Sequence, residues 1–173
     1  MEELLDILKY ILPSGVVFAT AYFLFRQYLD SDNRKKLLEL KMNNQGLIAP
    51  IRLQAYERVI LFLERVSPGS LVLRVSAPGM SAFQFQTALI ENIREEFEHN
   101  LSQQIYLTST SWELARNAKE EMIKLVNIAA SKLNDSANAT DLGSVIFELS
   151  MQKEKLPVQA AIAYIKSEVR QYF

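Results

Sequence analysis

The sequence predicts an all-α protein, with a single N-terminal transmembrane helix followed by a helical, bundle-like cytoplasmic domain. Three observations predict it. Residues 10–25, YILPSGVVFATAYFLF, carry no formal charge. Beyond them, apolar residues recur at helical spacing through several segments of helix length. The glycines and prolines, five of each, fall almost entirely at the boundaries between those segments. The expected layout is an anchor at 1–30, a charged helical neck at 31–46 and a helical domain at 47–173.

The anchor is read as Leu4 to Leu29, about 39 Å of helix at ~1.5 Å per residue. The uncharged run alone is shorter than the ~20 residues that cross a bilayer core. Leu4, Leu5, Ile7 and Leu8 extend it on one side, and Tyr28 and Leu29 on the other. Lys9 and Arg26 are placed to snorkel, and Tyr10, Tyr22 and Tyr28 suit the interfaces. Ala19 and Ala21 make an A-x-A pattern, yet Glu2, Glu3 and Asp6 are the wrong charge for a signal peptide. Lys9 precedes the span, whereas Arg26, Arg34, Lys35, Lys36 and Lys41 follow it. That asymmetry predicts a bacterial inner-membrane, single-pass protein with its N-terminus outside and its domain in the cytoplasm. Gly15 and Ala19 form one small-xxx-small pair, the kind that lets helices approach in lipid.

After the span a helix continues through Asp32–Met42, and Asn43-Asn44-Gln45-Gly46 is expected to end it. Pro50 to Val66 is the next helix, with Leu53, Tyr56, Ile60, Leu63 and Val66 on one side, and it is expected to be central. Ser67-Pro68-Gly69 and Ala77-Pro78-Gly79 are turns. Residues 71–75 and 103–108 are short runs that suit either a very short strand or a helical turn. Ser81 with Gln84 is a capping-box pattern. It opens a long helix whose apolar row is Phe85, Leu89, Ile93, Phe97 and Leu101. Thr110 with Glu113 is read as a second capping box. The helix after it buries Ala115, Ala118, Met122, Leu125, Val126, Ala129 and Leu133, and faces solvent with Arg116, Lys119, Glu120 and Lys124. A polar loop, 134–140, precedes two last helices, Leu142–Gln152 and Leu156–Phe173.

Composition excludes several functions. There is no cysteine, so disulfides, thiolate metal sites and a cysteine nucleophile are excluded. Nineteen basic and twenty acidic residues leave a net charge of -1, without the basic excess of a nucleic-acid binder. Phosphate-binding glycine loops, nucleophile elbows and zincin motifs do not occur. With one histidine, His99, most histidine-based centres are impossible. No cofactor is expected.

The densest polar run is Arg94–Gln104. Glu96 and His99 have the Glu-x-x-His spacing used in di-metal bundles, but those need two copies and two further glutamates. The plain reading is a solvated helix face. The functional reading is an interaction patch of Glu95, Glu96, Glu98, His99, Asn100, Gln103 and Gln104. Trp112 reads as a core anchor.

The stretches IREEFEHNLSQQIYL (93–107) and WELARNAKEEMIKLVN (112–127) resemble an uncharacterised family of small, N-terminally anchored bacterial proteins of the Bacteroidetes type. The resemblance implies an inner-membrane setting and no activity that can be carried over. The leading expectation is a non-enzymatic, membrane-tethered interaction module, an accessory subunit of a membrane complex. Its partners would be the lipid bilayer and a membrane protein or a second copy. The alternatives are a carboxylate-based or metal-dependent enzyme around Glu96 and His99, and a structural homo-oligomer.

Overall fold

The computed structural model describes residues 2–134, 136–152 and 155–172. Among these, the side chains of 2–14, 19, 33, 37–45 and 47 lie outside the description. The chain divides into two compact units, Met1–Ile48 and Ala49–Phe173. The elements are α1 (Glu2–Val66), α2 (Pro68–Val75), α3 (Ala82–Glu98), a 3-10 turn (Leu101–Ile105), α4 (Ser109–Ser131), α5 (Ala139–Gln152) and α6 (Pro157–Tyr172).

The first unit corrects the anchor. Among the described residues, no helix is long and apolar enough to cross a membrane. The expected span, Leu4–Leu29, contains Asp6, Lys9 and Arg26, and its sixteen-residue uncharged run is diluted by Pro13, Ser14, Gly15, Thr20 and two tyrosines. The single-pass inner-membrane placement therefore has no span to rest on. Arg26, Arg34, Lys35 and Lys36 are exposed on α1, and the side chain of Lys9 lies outside the described residues.

α1 also runs through Asn43–Gly46 and Pro50, where a break was expected. A proline inside a helix forfeits one bond and crowds the carbonyl four residues back, here that of Gly46. That is a single lost bond in a helix of 65 residues.

In the second unit the two short runs that suited either a strand or a helical turn form no strand. Residues 71–75 belong to α2, and 103–105 to the 3-10 turn. A five-residue run with four apolar residues fits either form, and burial chose. α2 buries Leu71 and Val72 on one face and leaves Leu73 exposed. The sole β-type contact among the described residues is a bridge between Ser81 and Asn138. Ala82 N–H donates to Ala137 O (3.0 Å) and Ala139 N–H to Met80 O (3.1 Å). The bridge holds the starts of α3 and α5 side by side.

The helix starts follow local chemistry. Ser81 caps α3 in a complete capping box with Gln84, a motif in which the cap contributes about 1 kcal/mol. Asn138 Oδ1 accepts from the N–H groups of Thr140 and Asp141, while Asp141 Oδ2 accepts from Asn138 N–H, so α5 begins earlier than Leu142. The second expected box is corrected. Thr108, not Thr110, caps α4, accepting from Ser111 N–H. Between α2 and α3 the chain turns at Gly79, whose φ of 79° suits a residue without Cβ.

α4 is the central helix, packed against α3, α5 and α6. Of its expected face, Ala115, Ala118, Met122, Leu125, Val126 and Ala129 are buried, while Leu133 lies beyond the end of the helix and is half-buried. Its alanines let neighbouring helices come close. The 50–66 stretch of α1 faces the core with Tyr56, Val59, Phe62, Leu63 and Val66, and Leu53 is exposed, contrary to the expected face. Leu101 is exposed too. The row at 85, 89, 93 and 97 holds only while the chain is α-helical, and α3 stops at Glu98.

α2 and α5 meet at a glycine. A Cβ built on buried Gly143 lies 3.2 Å from Val72 Cγ1. Val72 is itself buried in a helix, where its branched side chain has little rotamer freedom. Gly143→Leu is expected to destabilise the domain by about 1–3 kcal/mol through overpacking. Urea unfolding of the variant checks this, and unchanged stability would show that α2 can move aside.

Candidate functional site

The polar run at the end of α3 is built by a helix stop. His99 N–H donates to Glu95 O, and Asn100 N–H to Phe97 O (both 3.0 Å). Asn100 Nδ2 donates to Glu96 O at 2.8 Å. Gln103 N–H then donates to Asn100 O, and Tyr106 N–H to Gln103 O, which forms the 3-10 turn. Asn100 and Gln103 are half-buried and serve this corner. Glu95, Glu98, His99 and Gln104 are exposed.

Glu96 is set apart from the others. Its Oε1 accepts from Arg65 Nε (2.7 Å) and lies 2.6 Å from Arg65 Nη2 and 3.4 Å from Arg74 Nη1. One carboxylate oxygen thus clamps α3 to α1 and α2. Two guanidiniums occupy this largely sheltered carboxylate. Among the described residues, no group of three or more histidine, aspartate or glutamate side chains is placed to hold a metal ion.

What the sequence did not reveal is that the exposed corner carries aliphatic side chains. Leu101 is 46% exposed and Ile105 73%. In the chain they follow Glu95, Glu98 and His99, and Gln104 lies between them; all four polar residues are exposed. The readable signal was Asn100, a residue that favours turns and ends the helix before Leu101.

A second feature is a buried carboxylate on α6. Glu168 is 6% exposed. Tyr56 Oη donates to its Oε1 at 2.5 Å. Ser111 Oγ (2.5 Å) and Thr108 Oγ1 (3.0 Å) donate to its Oε2. Three segments therefore meet on one side chain: α1, the start of α4, and α6. Burial alone would raise the Glu168 carboxyl, but the hydrogen bonds from Ser111, Tyr56 and Thr108, with the nearby Arg52 charge, hold it below the usual carboxylate range. Burial first, then Glu168, pushes the Tyr56 phenol up. The α4 N-terminus adds a favourable dipole. Both oxygens are used, so the group acts as a staple between helices and offers no open position to a substrate.

This residue was legible in part. Val158, Ala161, Ile162 and Ile165 are buried on α6, and Glu168 continues their row. A lone acid on an apolar stripe signals a buried partner. Nothing local names Tyr56, Thr108 and Ser111.

A groove of about 770 Å³ lies between the end of α2, the turn after it and the start of α5. Val72, Leu73, Pro78, Met80, Thr140 and Phe147 line it, and all of its lining side chains are uncharged. It offers shape and apolar surface, without an acid or a base.

Comparison with known proteins places this architecture. A model described as "Family of unknown function (DUF7935)" matches residues 2–172. The chain belongs to this family. The DUF7935 match runs across both compact units, so the long α1 and the helical domain are parts of one family pattern. No curated protein and no solved structure gives a significant match.

Proposed function

We propose that this DUF7935 chain is a non-enzymatic protein-interaction module, an accessory part of a larger assembly, and that the corner between α3 and the 3-10 turn is a docking surface. The observation that carries the reading is the exposure of Leu101 and Ile105 in a segment whose neighbours in the chain are exposed polar residues. An apolar centre with a polar rim is the usual anatomy of a protein interface. Glu95, Glu98, His99 and Gln104 are the rim, and Asn100 and Gln103 hold its backbone. Glu96 acts from behind, fixing α3 through Arg65 and Arg74. That commitment weighs against an enzyme built on Glu96 and His99. A bacterial source of the Bacteroidetes type rests on the resemblance of residues 93–107 and 112–127 alone. The near-neutral charge favours a protein partner over nucleic acid.

The double variant Leu101→Glu/Ile105→Glu tests the reading. Both residues are exposed, so stability should change by no more than about 0.5 kcal/mol per site. Recovery of a partner protein from the producing cells, compared side by side with the unmodified chain, should fall at least about tenfold, the factor for 1.4 kcal/mol. Equal recovery by the two chains would overturn the assignment of this surface.

A further inference from the structure

We propose that Arg52 is the positioning residue of the docking corner, and that the last turn of α6 regulates the corner by holding or releasing Arg52 through Tyr172. The proposal rests on the docking reading of Leu101 and Ile105 and names what controls that surface. All of these residues belong to the second compact unit.

The corner has little packing of its own. From Glu98 to Tyr106 no residue is buried, whereas Phe97 before them and Leu107 after them are. The 3-10 turn inside that stretch buries none of its side chains. A segment with so few buried contacts opens easily, so its pose depends on the bonds at its two ends. At the start, Asn100 ties it to α3. At the exit, Tyr106 closes the turn by donating its N–H to Gln103 O (3.0 Å). The Tyr106 carbonyl then accepts from Arg52 Nε at 3.2 Å, across 54 residues of chain. A charged donor makes such a bond stronger than a neutral one.

Arg52 is itself held in place. It is half-buried, and its charge faces the Glu168 carboxylate and the Tyr56 phenol. Its guanidinium carbon lies 5.5 Å from the centre of the Tyr172 ring, within the range of a cation–π contact. Glu168 and Tyr56 are buried and bonded to each other. Tyr172 differs from them: it is the last residue of α6 and 57% exposed. Helix ends fray, so Tyr172 can leave the guanidinium without opening the core.

Two states follow. With Tyr172 on Arg52, the guanidinium is confined, the exit of the turn is fixed, and Leu101 and Ile105 are presented in one pose. With Tyr172 away, Arg52 gains freedom and the turn loosens. A surface ordered in advance binds more tightly, because less freedom is lost on association. Linkage makes the effect reciprocal. A partner seated on the corner favours Tyr172 on Arg52, and anything that captures the Tyr172 ring weakens that partner by the same factor. One exposed cation–π contact corresponds to about two- to fivefold.

Amide hydrogen exchange of the free, full-length protein reads the corner directly. Tyr172→Leu and Tyr172→Phe alter an exposed residue, so both should melt like the unmodified chain. In Tyr172→Leu the Tyr106 amide should exchange about two- to fivefold faster, with the Ile93 amide of α3 unchanged. Tyr172→Phe keeps the aromatic face and should keep the unmodified rate. Arg52→Gln should speed the Tyr106 amide at least about tenfold, since it removes a bond from a charged donor. The Tyr172 pair keeps the test valid if Arg52→Gln does not fold. Equal Tyr106 exchange in the unmodified chain and Tyr172→Leu would overturn the proposal, and so would equal effects of leucine and phenylalanine. Exchange needs no partner, which separates the two readings. Loss of the partner in Leu101→Glu/Ile105→Glu with unaltered exchange in Tyr172→Leu would sink the control by α6 alone. A partner kept by Leu101→Glu/Ile105→Glu would remove the docking reading, and the regulatory role with it, whatever the exchange rates.

Discussion

Replacing Glu168 by alanine is expected to lower the stability of the helical domain by about 3 kcal/mol, because three hydroxyls and a nearby guanidinium lose their shared acceptor inside the fold. Tyr56 donates to one carboxylate oxygen, and Ser111 and Thr108 to the other. Thr108 is also the α4 N-cap, so its side chain loses one of two roles. Tyr56→Phe removes a single bond to a charged group and should lose less, about 1.5–3 kcal/mol. Acid should reveal the same staple. The Glu168 carboxyl is held below its ordinary value near 4.5, so its contribution is complete above that pH and fades as the pH falls further. Melting temperatures of the unmodified chain and Glu168→Gln, followed from neutral pH down to about pH 3, should therefore converge as carboxylates protonate. A gap that stays constant into acid would show that the charge on Glu168 does not matter.

Phe62→Ala is expected to cost about 3–5 kcal/mol. Phe62 is 1% exposed and meets Phe97 edge-on at 5.7 Å between ring centres. Phe97 in turn stacks on Trp112 at 5.2 Å, with the Lys119 ammonium 4.5 Å from the Phe97 ring centre. The row joins α1, α3 and α4, so a cavity at its end loosens all three. Trp112 is the sole tryptophan, and its emission should report the change directly in a urea titration. Leu61→Ala, next to it but 58% exposed, serves as the control and should stay within about 0.5 kcal/mol. Equal effects at 61 and 62 would show that the helix turns a different face to the core.

The two features behind these predictions differ in how far the chain itself discloses them. Trp112 was readable as a core anchor from its place in the first turn of an amphipathic helix. Its stacking partner was not, because Phe97 belongs to another helix. Glu168 was not singled out in the sequence, although it continues the apolar stripe of α6, and its three donors are 57 to 112 residues away in the chain. Glu96 was singled out for its spacing to His99. The structure gives it to Arg65 and Arg74, since a helix face is shared with whatever packs on it, and spacing along one helix cannot register that.

By itself, the sequence determined what depends on neighbours a few residues apart. It established a mainly helical chain, the Ser81–Gln84 capping box, the turn at Gly79, the start of α6 at Pro157 and most of the buried face of α4. Those features follow from backbone dihedrals, caps and a 3.6-residue period, which are local quantities. Only the tertiary structure decided that residues 71–75 and 103–105 are helical, that Thr108 caps α4, and that Leu53 and Leu101 face outward. It also decided that Glu168 is buried and fully bonded. Short apolar segments have nearly equal local preferences for strand and helix, and a polar side chain's fate depends on donors brought from distant elements. The apolar run near the N-terminus is the same case at larger scale: hydropathy marks residues 10–25 as avoiding water, and length and composition withhold a span.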